Sequence, residues 1–294
     1  MKLTGVYTAM VTPFKNGEVD YGRMEELVEE QIQAGVSGLV PVGTTGESPT
    51  ITFEEHPKVI ETVVSVAAGR CKVIAGTGAN STEEAVKLTK MAAQAGADAT
   101  LQVTPYYNKP TQEGLYRHFT EIAEKAKLPV VLYNVPSRTG KEIDVSTIVR
   151  LSEHPGIVAL KEASPNVDRV GHIINDCDIT VLSGDDSLTM PRMSLGAEGV
   201  ISVASNIVPE KIAQMVNAAL EGDLREALRC QKELFPLFRD FTLETNPIPI
   251  KAAMAMAGKI EEEYRLPLCA LSAENHDKLK NTLRWAGLLA TAAS

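Results

Sequence analysis

The sequence predicts an α/β protein built as a closed (β/α)8 TIM barrel with a C-terminal extension of three helices. Three observations predict this fold. Eight short apolar segments recur along the chain, helical patterns separate them, and no further strand is left over. The eight segments are rich in Val, Ile and Leu, as strands covered on both faces should be, and span residues 5–13, 38–43, 72–78, 99–107, 129–136, 157–164, 179–184 and 199–206.

An open, doubly wound sheet is the alternative for the same alternation of strands and helices. That fold carries a GxGxxG segment after its first strand, and no such segment follows residues 5–13. A barrel of about 250 residues forms a single domain. We therefore predict a catalytic barrel over residues 1–222 and a helical region over residues 223–294.

The helices of the barrel are predicted from one-sided apolar patterns and from the signals at their ends. Two capping boxes mark helix starts, one pairing Thr52 with Glu55 and the other pairing Ser81 with Glu84. Apolar side chains three or four positions apart, which are typical of a helix with one buried face, recur in residues 21–34, 82–95 and 209–220.

The C-terminal region is predicted to be helical because the strand pattern stops after residue 222. Helical patterns continue over residues 223–241, 250–260 and 272–289. No linker rich in Gly and Ser precedes them. We therefore expect three helices that pack directly on the barrel rather than a tethered domain.

Composition and charge exclude several classes of function. The net charge of −9 argues against nucleic acid or an anionic membrane as a partner. No stretch approaches the roughly 20 apolar residues of a membrane span, and the N-terminus lacks an apolar signal core, so we expect a cytoplasmic protein. The four cysteines lie far apart with no CxxC pair, and no metal-ligand spacing appears among the cysteines and histidines, so we expect scattered buried thiols and no metal site. We also expect no cofactor.

Lys161 is the first candidate for chemistry, because it ends the sixth apolar segment. In barrel enzymes the active site lies at the carboxyl ends of the strands. An amine there is costly to bury in its charged form, and a neutral amine can attack a ketone to form a Schiff base. The alternative is a strand-end lysine that reaches solvent.

Tyr133 is the second candidate, because strand alternation places it beside Lys161. Ala159 and Lys161 share one face of the sixth strand, and Val131 and Tyr133 share one face of the fifth. If both faces point inward, the two reactive side chains are neighbours at one end of the barrel. A phenol there could move protons during imine formation. The alternative is a core tyrosine.

Three other strand ends carry polar residues with two readings each. Residues 43–48 place two hydroxyls between glycines, which suits either a turn or a cradle for a carboxylate or phosphate. Arg138 could bind a carboxylate through two hydrogen bonds, or it could be an ordinary surface arginine. Asp185 and Asp186 lack an evident third ligand for a metal, so a loop turn or helix cap is favoured.

Five segments in this order identify a family resemblance: GTTGES at 43–48, TPYYNKP at 104–110, YNVPSRTG at 133–140, LKEAS at 160–164 and SGDD at 183–186. Together they resemble the dihydrodipicolinate synthase family, among the pyruvate-dependent class I aldolases of the N-acetylneuraminate lyase type. The resemblance runs along essentially the whole chain and includes TNPIPIK at 245–251. It implies a (β/α)8 lyase of the diaminopimelate route to lysine.

The resemblance implies a Schiff base between pyruvate and Lys161, followed by condensation with L-aspartate 4-semialdehyde to give 4-hydroxy-tetrahydrodipicolinate. Tyr133 would donate and accept protons. Thr44 and Tyr107 would complete the proton relay, with Tyr107 reaching across from a second subunit. The family also implies a homotetramer built as a dimer of dimers.

The resemblance also implies four substrate-binding residues. Thr45 and the backbone at Ile201 would hold pyruvate, and Gly184 would line the site through its backbone. Arg138 would bind the carboxylate of the semialdehyde or of the cyclising intermediate. A short partner with a carboxylate needs a cation there, whereas a polyol needs neutral hydrogen-bonding groups.

Regulated members of the family bind L-lysine at a dimer interface. The residues that match this inhibitor site are Ser48, His56, Asn80, Glu84 and Tyr106. Pro49 and Phe53 depart from the strongly inhibited bacterial pattern, which carries Ala and His at these positions. For Glu84, the capping box with Ser81 is a structural alternative.

Two other functions compete with the synthase. One is a related pyruvate aldolase for N-acetylneuraminate, a 2-keto-3-deoxy sugar acid or 4-hydroxy-2-oxoglutarate. The other is a non-catalytic barrel that binds a small keto acid as a sensor. A sensor has no need of both an amine and a proton shuttle, so we favour the enzyme.

Overall fold

Eight parallel strands close into a ring in the computed structural model, which describes residues 1–289. Each strand pairs with its neighbours along the chain, and the last pairs with the first. The predicted barrel is confirmed, and the open-sheet alternative is wrong. The strands are β1 Gly5–Ala9, β2 Gly38–Val40, β3 Lys72–Gly76, β4 Ala99–Val103, β5 Val130–Asn134, β6 Ile157–Glu162, β7 Thr180–Ser183 and β8 Gly199–Ser202.

The helices surround the ring and then continue past it. They are α1 Tyr21–Gln33, α2 Glu55–Ala67, α3 Thr82–Gln94, α4 Gln112–Ala126, α5 Pro136–Thr139, α6 Val145–Ser152, α7 Asp168–Asp176, α8 Thr189–Ser194, α9 Pro209–Leu220, α10 Leu224–Asp240, α11 Ile248–Met256 and α12 Ala273–Trp285. Within residues 1–289, no helix has the length and apolar character needed to cross a membrane.

The predicted strands were too long because buried loop residues extend several apolar segments. β1 ends at Ala9, yet Met10 and Val11 are almost fully buried beyond it. A two-stranded hairpin, Phe14–Lys15 with Glu18–Val19, follows and was not predicted. Apolar composition reports burial, and it does not separate a buried loop from a buried strand.

The two predicted capping boxes differ in the structure. Thr52 and Glu55 form both bonds: the Glu55 N–H donates to Thr52 Oγ1, and the Thr52 N–H donates to Glu55 Oε2. At Ser81 only one bond forms, from the Glu84 N–H to Ser81 Oγ at 3.4 Å. Within residues 1–289, the Glu84 carboxylate makes no return bond, so capping does not account for this side chain.

Side-chain alternation separates the inside of the ring from its outer wall. The inward positions form a cluster of their own that includes Tyr7, Ile74, Val131 and Ala159. The outward positions pack against the helices in two further clusters. The predicted inward faces of β5 and β6 are therefore those that the structure shows.

The C-terminal helices share a hydrophobic core with the barrel shell. Leu234, Ile250 and Leu279 belong to the same buried cluster as Val28 and Val59 of the shell helices. Helix α11 begins at Ile248, two residues before the predicted start. The proposed division at residue 222 falls between α9 and α10 and stays a prediction, and the predicted region's last residues, 290–294, lie outside the described part.

The four cysteines are free thiols, but they are not uniformly buried. Cys230 is buried, whereas Cys269 is exposed, so the expectation of buried thiols is wrong for Cys269. Burial raises the pKa of Cys71.

Candidate active site

Lys161 and Tyr133 lie side by side where β5 and β6 end. The two residues are partners in the register of these strands, and Lys161 Nζ lies 4.3 Å from the centroid of the Tyr133 ring. Lys161 is 5% exposed and Tyr133 is 6% exposed. The alternative of a lysine that reaches solvent is therefore wrong.

The amine of Lys161 has no counter-ion in its surroundings. Within residues 1–289, Nζ makes neither an ion pair nor a hydrogen bond. It makes a cation–π contact with the face of the Tyr133 ring. Buried lysines are ordinarily paired, because an unpaired buried charge is costly. The amine is thus left free to react with a molecule that enters the barrel end.

A cavity of about 300 Å³ opens beside this amine, and we call it the Lys161 cavity. Its size suits one or two small metabolites. Loops after β2, β5, β6 and β7, together with the segment before α11, converge on it. The side chains and backbone that form its wall include Thr44, Thr45, Tyr133, Arg138, Lys161, Gly184, Asp185, Asp186 and Asn246.

Gly184 makes room for the lysine side chain. A Cβ atom at this position would lie 2.7 Å from the Ala163 Cβ and 3.1 Å from the Lys161 Cε. The first distance is shorter than carbon atoms tolerate, so any larger residue would push against the wall that carries Lys161. Glycine is required here for space, because the backbone approaches the reactive side chain closely.

The β2 loop, residues 43–48, is a tight turn whose hydroxyls face the cavity. The Gly46 and Ser48 N–H groups both donate to the Gly43 carbonyl, at 3.1 and 3.2 Å. Val42 (φ 53°), just before the loop, and Glu47 (φ 56°), within it, adopt left-handed backbone conformations. That is uncommon for any non-glycine residue and strained for a β-branched one. The loop therefore forms a turn, which is one of the two structures predicted for it. It also presents Thr44 and Thr45 to the cavity.

Asn246 is a site residue that sequence reasoning did not single out. Its side-chain amide donates to Thr45 Oγ1 at 2.9 Å, and its backbone carbonyl accepts from Arg138 Nη2 at 3.1 Å. Asn246 thereby bridges two predicted substrate-binding residues. The signal was present in TNPIPIK, which matched the family pattern but was given no role.

Arg138 lies on the short helix α5 at the mouth of the site. It lines the Lys161 cavity while its side chain stays solvent-exposed. Within residues 1–289 it has no carboxylate partner, and its one hydrogen bond runs to the Asn246 carbonyl. The guanidinium is therefore available to an anionic ligand.

Asp185 and Asp186 accept hydrogen bonds from nearby loop residues, which agrees with the predicted role in a loop turn or helix cap. Asp186 Oδ2 accepts from the N–H groups of Val203 and Ala204, at 3.0 and 2.9 Å. Asp185 Oδ1 accepts from the Ser187 hydroxyl and the Leu188 N–H. Burial raises the pKa of Asp186. Within residues 1–289, no group of three His, Cys, Asp or Glu side chains could hold a metal ion.

A buried polar network supports the strand ends from the outer side. Glu162 follows Lys161 and points the other way, where it is fully buried. Its carboxylate accepts from the Asn134 side chain at 2.9 and 3.1 Å and from the Ser164 N–H at 2.7 Å. Arg169 lies 3.5 Å from the same carboxylate. This network fixes β5 and β6 relative to each other just beside the reactive pair.

Two predicted residues do not line the Lys161 cavity in the single chain. Tyr107 is 90% exposed, with φ 70°, and contributes to neither cavity wall. Ile201 is 1% exposed on β8, where it pairs with Tyr7 in the register and packs inside the ring. Their proposed roles, through a second subunit and through the backbone, stay predictions.

A larger cavity of about 510 Å³ adjoins the first, and we call it the His56 cavity. Thr44, Tyr133 and Arg138 line both cavities, so the two share part of their walls. Four of the five predicted inhibitor-site residues, with the two that depart from the inhibited pattern, line it: Ser48, His56, Glu84, Tyr106, Pro49 and Phe53. The fifth, Asn80, instead donates its side-chain amide to the Tyr106 carbonyl.

Burial shifts the pKa of two groups in the His56 cavity, His56 and Tyr106. Burial lowers the pKa of His56, and the contact of its Nε2 with the Gly76 carbonyl at 2.9 Å partly opposes that shift. Burial raises the pKa of Tyr106, and the nearby Glu84 carboxylate adds to the rise. The wall is therefore neutral at His56 and Tyr106 near pH 7.

Fold and site together define a class of protein: a (β/α)8 barrel enzyme with a buried, unpaired lysine and a tyrosine at its strand ends, as Schiff-base chemistry requires. The chain belongs to the dihydrodipicolinate synthetase family, whose model matches residues 2–286. This confirms the family predicted from the motifs.

Individual relatives agree over almost the full length. The chain is 54% identical over 286 residues to 4-hydroxy-tetrahydrodipicolinate synthase of Methanocaldococcus jannaschii, covering 97% of this chain and 99% of that one. The structure of the chloride-inhibited dihydrodipicolinate synthase from Acinetobacter baumannii complexed with pyruvate is 45% identical, with TM-score 0.96 and coverage of 98% and 100%. A Cyanidioschyzon merolae structure with lysine bound is 44% identical, with TM-score 0.95 and coverage of 97% and 99%.

Proposed function

We propose that this protein condenses pyruvate with L-aspartate 4-semialdehyde to give 4-hydroxy-tetrahydrodipicolinate in lysine biosynthesis. The observation that carries the proposal is the contact between Lys161 and Tyr133, with the amine buried, unpaired and open to a cavity. Membership of the dihydrodipicolinate synthetase family and the names of its relatives support it. We propose the cytoplasm as the place of action.

The reaction begins at the amine of Lys161. Nζ attacks the keto carbon of pyruvate, water leaves, and an imine forms. Loss of a proton from the pyruvate methyl group gives an enamine, whose carbon attacks the aldehyde of the second substrate. The amine of that substrate then adds to the imine carbon, displaces Lys161 and closes the ring.

Tyr133 is the proposed proton carrier for these steps. Imine formation needs a proton for the departing hydroxyl, and enamine formation releases one. Two observations support this role: Lys161 Nζ lies 4.3 Å from the centroid of the Tyr133 ring, and Tyr133 lines the Lys161 cavity. Thr44 lines that cavity too and extends the relay. Tyr107 would complete it from a second subunit, and its 90% exposure suits a residue that reaches a partner.

The second substrate is assigned by the proposed role of Arg138. Its guanidinium at the cavity mouth suits a carboxylate of the semialdehyde, whereas a sugar acid would need neutral hydrogen-bonding groups. Thr45 and the Ile201 backbone would hold pyruvate, with Gly184 lining the site. The hydroxyl of Thr45 is already oriented by Asn246.

A coupled assay tests the proposed reaction. The purified protein should turn over pyruvate with aspartate semialdehyde and should not cleave N-acetylneuraminate, 2-keto-3-deoxy sugar acids or 4-hydroxy-2-oxoglutarate. Arg138→Ala should raise KM for the semialdehyde about 10-fold or more while KM for pyruvate changes little. Turnover of sugar acids alone, or equal effects of the variant on both substrates, contradicts the assignment.

We propose that the His56 cavity is the site of feedback by L-lysine. Four of the five matching residues line it, and Glu84 offers a carboxylate that no helix cap uses. Pro49 and Phe53 also line it, so inhibition should be weaker than in enzymes that carry Ala and His there. Titration of activity with L-lysine checks this; no effect at millimolar concentration removes the site.

We propose a homotetramer, a dimer of dimers, as the assembled form. Two exposed aromatic residues support an interface near the His56 cavity: Tyr106, which lines it and is 40% exposed, and the next residue in the chain, Tyr107, which is 90% exposed. Sedimentation velocity checks the assembly. A monomer with full activity would rule out a role for Tyr107 in a partner's active site.

A further inference from the structure

The β2 loop is held from outside the barrel by helix α11. The loop presents Thr45 to the Lys161 cavity and Glu47 away from it. Asn246, just before α11, donates to Thr45, and Lys251, inside α11, binds Glu47. Two alternate residues of one loop are thus held by two residues five positions apart, one just before α11 and one inside it.

The contact between Glu47 and Lys251 is a fully buried ion pair. Lys251 Nζ lies 2.5 Å from Glu47 Oε1, and the side chains are 0% and 1% exposed. The ammonium also faces the Phe14 ring at 4.2 Å and the Tyr264 ring at 5.2 Å. The second carboxylate oxygen, Oε2, accepts from the Arg265 N–H at 3.3 Å. Both charges are therefore satisfied within one closed compartment.

The pair is placed to control backbone geometry. Glu47 is in the left-handed conformation at φ 56°, which non-glycine residues adopt only when their surroundings hold them there. Its position is two residues after Thr45 and three after Thr44, both of which line the Lys161 cavity. A shift in Glu47 would therefore be passed through a short, tight turn to the two threonines.

Stability alone does not account for burying two charges at this point. Replacing a buried ion pair by apolar residues is often neutral or stabilising. The C-terminal region also contacts the shell through Lys259 and Glu30, whose side chains are 32% and 37% exposed and line neither cavity. An ordinary surface pair thus joins the two regions elsewhere, whereas the pair at the β2 loop is dry.

We propose that Glu47 and Lys251 are a positioning pair that sets the β2 loop for pyruvate binding by Thr45. Neither residue lines the Lys161 cavity or the His56 cavity. The inference rests on the proposed function, because it assigns a purpose to loop geometry at that site. It also makes the C-terminal region part of the active-site architecture rather than an appendage.

The double variant Glu47→Gln/Lys251→Met tests the proposal, because it removes both charges and leaves neither unpaired. Its melting temperature should lie near that of the wild type. Its KM for pyruvate should rise about 10-fold or more, because small displacements of positioning groups have large effects. KM for the semialdehyde should change less than about twofold, since Arg138 holds that substrate. Lys259→Met is the matched control and should leave both KM values unchanged.

A stable double variant with wild-type KM for pyruvate would overturn the proposal, as would equal rises in both KM values. If the double variant does not fold, Glu47→Asp replaces it, because that change keeps both charges and shortens one side chain by one methylene. The same rise in KM for pyruvate is expected there, and an unchanged value overturns the proposal. Failure of the proposed function would show itself differently, as absence of turnover in the wild type and in Lys259→Met.

Discussion

Two lysines of this protein are buried equally well but in opposite chemical surroundings. Lys161 ends a barrel strand, is 5% exposed, and has an aromatic ring and a cavity beside its amine. Lys251 lies inside α11, is fully buried, and pairs with Glu47 at 2.5 Å. Burial lowers the pKa of Lys251, and the Glu47 carboxylate opposes that shift. Burial alone therefore does not identify a reactive lysine.

The difference lies in what each amine can reach. The amine of Lys251 is enclosed by a carboxylate and two aromatic rings, so no small molecule can approach it. The amine of Lys161 faces open space lined by hydroxyls and a guanidinium. One lysine holds the structure of the site, and the other is free for chemistry. The following predictions remove one feature of this contrast at a time.

Lys161→Ala should have the largest effect of these variants. It should lower activity and leave stability almost unchanged. Loss of the amine removes the covalent route, so kcat should fall by about three orders of magnitude or more. The melting temperature should stay within a few degrees of the wild type, because no ion pair is broken. Steady-state kinetics and thermal unfolding measure the two effects. Near-native turnover would remove Lys161 from the mechanism.

Lys251→Met, unlike Lys161→Ala, should lower the free energy of unfolding. It leaves the Glu47 carboxylate buried without its cation, which costs about 3–5 kcal/mol of unfolding free energy. Urea denaturation at neutral pH measures the loss. Lys259→Met, which breaks a partly exposed pair, should cost only about 1 kcal/mol or less. Equal losses of unfolding free energy in the two variants would contradict the prediction that a buried ion pair is costlier to break than an exposed one.

Tyr133→Phe should reduce kcat about 100-fold with the fold retained. Its hydroxyl makes no hydrogen bond within residues 1–289, so its removal breaks no internal contact. Tyr7→Phe is the matched control, because Tyr7 is a 3% exposed tyrosine of the same inner cluster whose pKa burial raises to about 12. That variant should keep its activity. Unchanged kcat in Tyr133→Phe would exclude Tyr133 from proton transfer.

Glu55→Gln should show the smallest effect, and one that depends on pH. Arg265 donates two hydrogen bonds of 2.6 Å to Glu55, which lower its pKa from 4.5 to about 2. Because the folded-state pKa is lowered, the pair stabilises above about pH 4.5 and loses its effect as pH falls toward 2. Wild type and variant should differ by roughly 1 kcal/mol at pH 7.

Thermal unfolding of both proteins from pH 7 to pH 2 measures that difference. The difference in stability between the wild type and Glu55→Gln should decrease to near zero as the pH falls from about 4.5 to 2. A gap that stays constant down to pH 2 would show that the Glu55 charge contributes nothing. Glu113→Gln, at an exposed pair with Arg117, should give a smaller gap throughout.

The sequence was sufficient for the features that depend on local pattern and strand order. Runs of Val, Ile and Leu predicted all eight strands, because strands covered on both faces need apolar side chains throughout. Alternation predicted that Lys161 and Tyr133 face inward together, and the register pairs them. Both inferences need only the period of a strand and the rule that neighbours in the chain are neighbours in the barrel.

The sequence was insufficient where distant segments meet. Asn246 contacts Thr45 across 201 positions, and Lys251 contacts Glu47 across 204. No periodicity links such residues, and the TNPIPIK match alone assigned no role to Lys251. Strand ends were misjudged for a different reason, since Met10 and Val11 lie beyond β1 and are as apolar and buried as the residues of the strand.

Borohydride reduction in the presence of pyruvate tests the central claim most directly, because it captures the imine as a stable amine on whichever lysine forms it. Peptide mass spectrometry then reads the position. We predict a pyruvate-derived adduct on Lys161 and none on Lys251. An adduct on another residue, or no pyruvate-dependent adduct at all, would contradict the account.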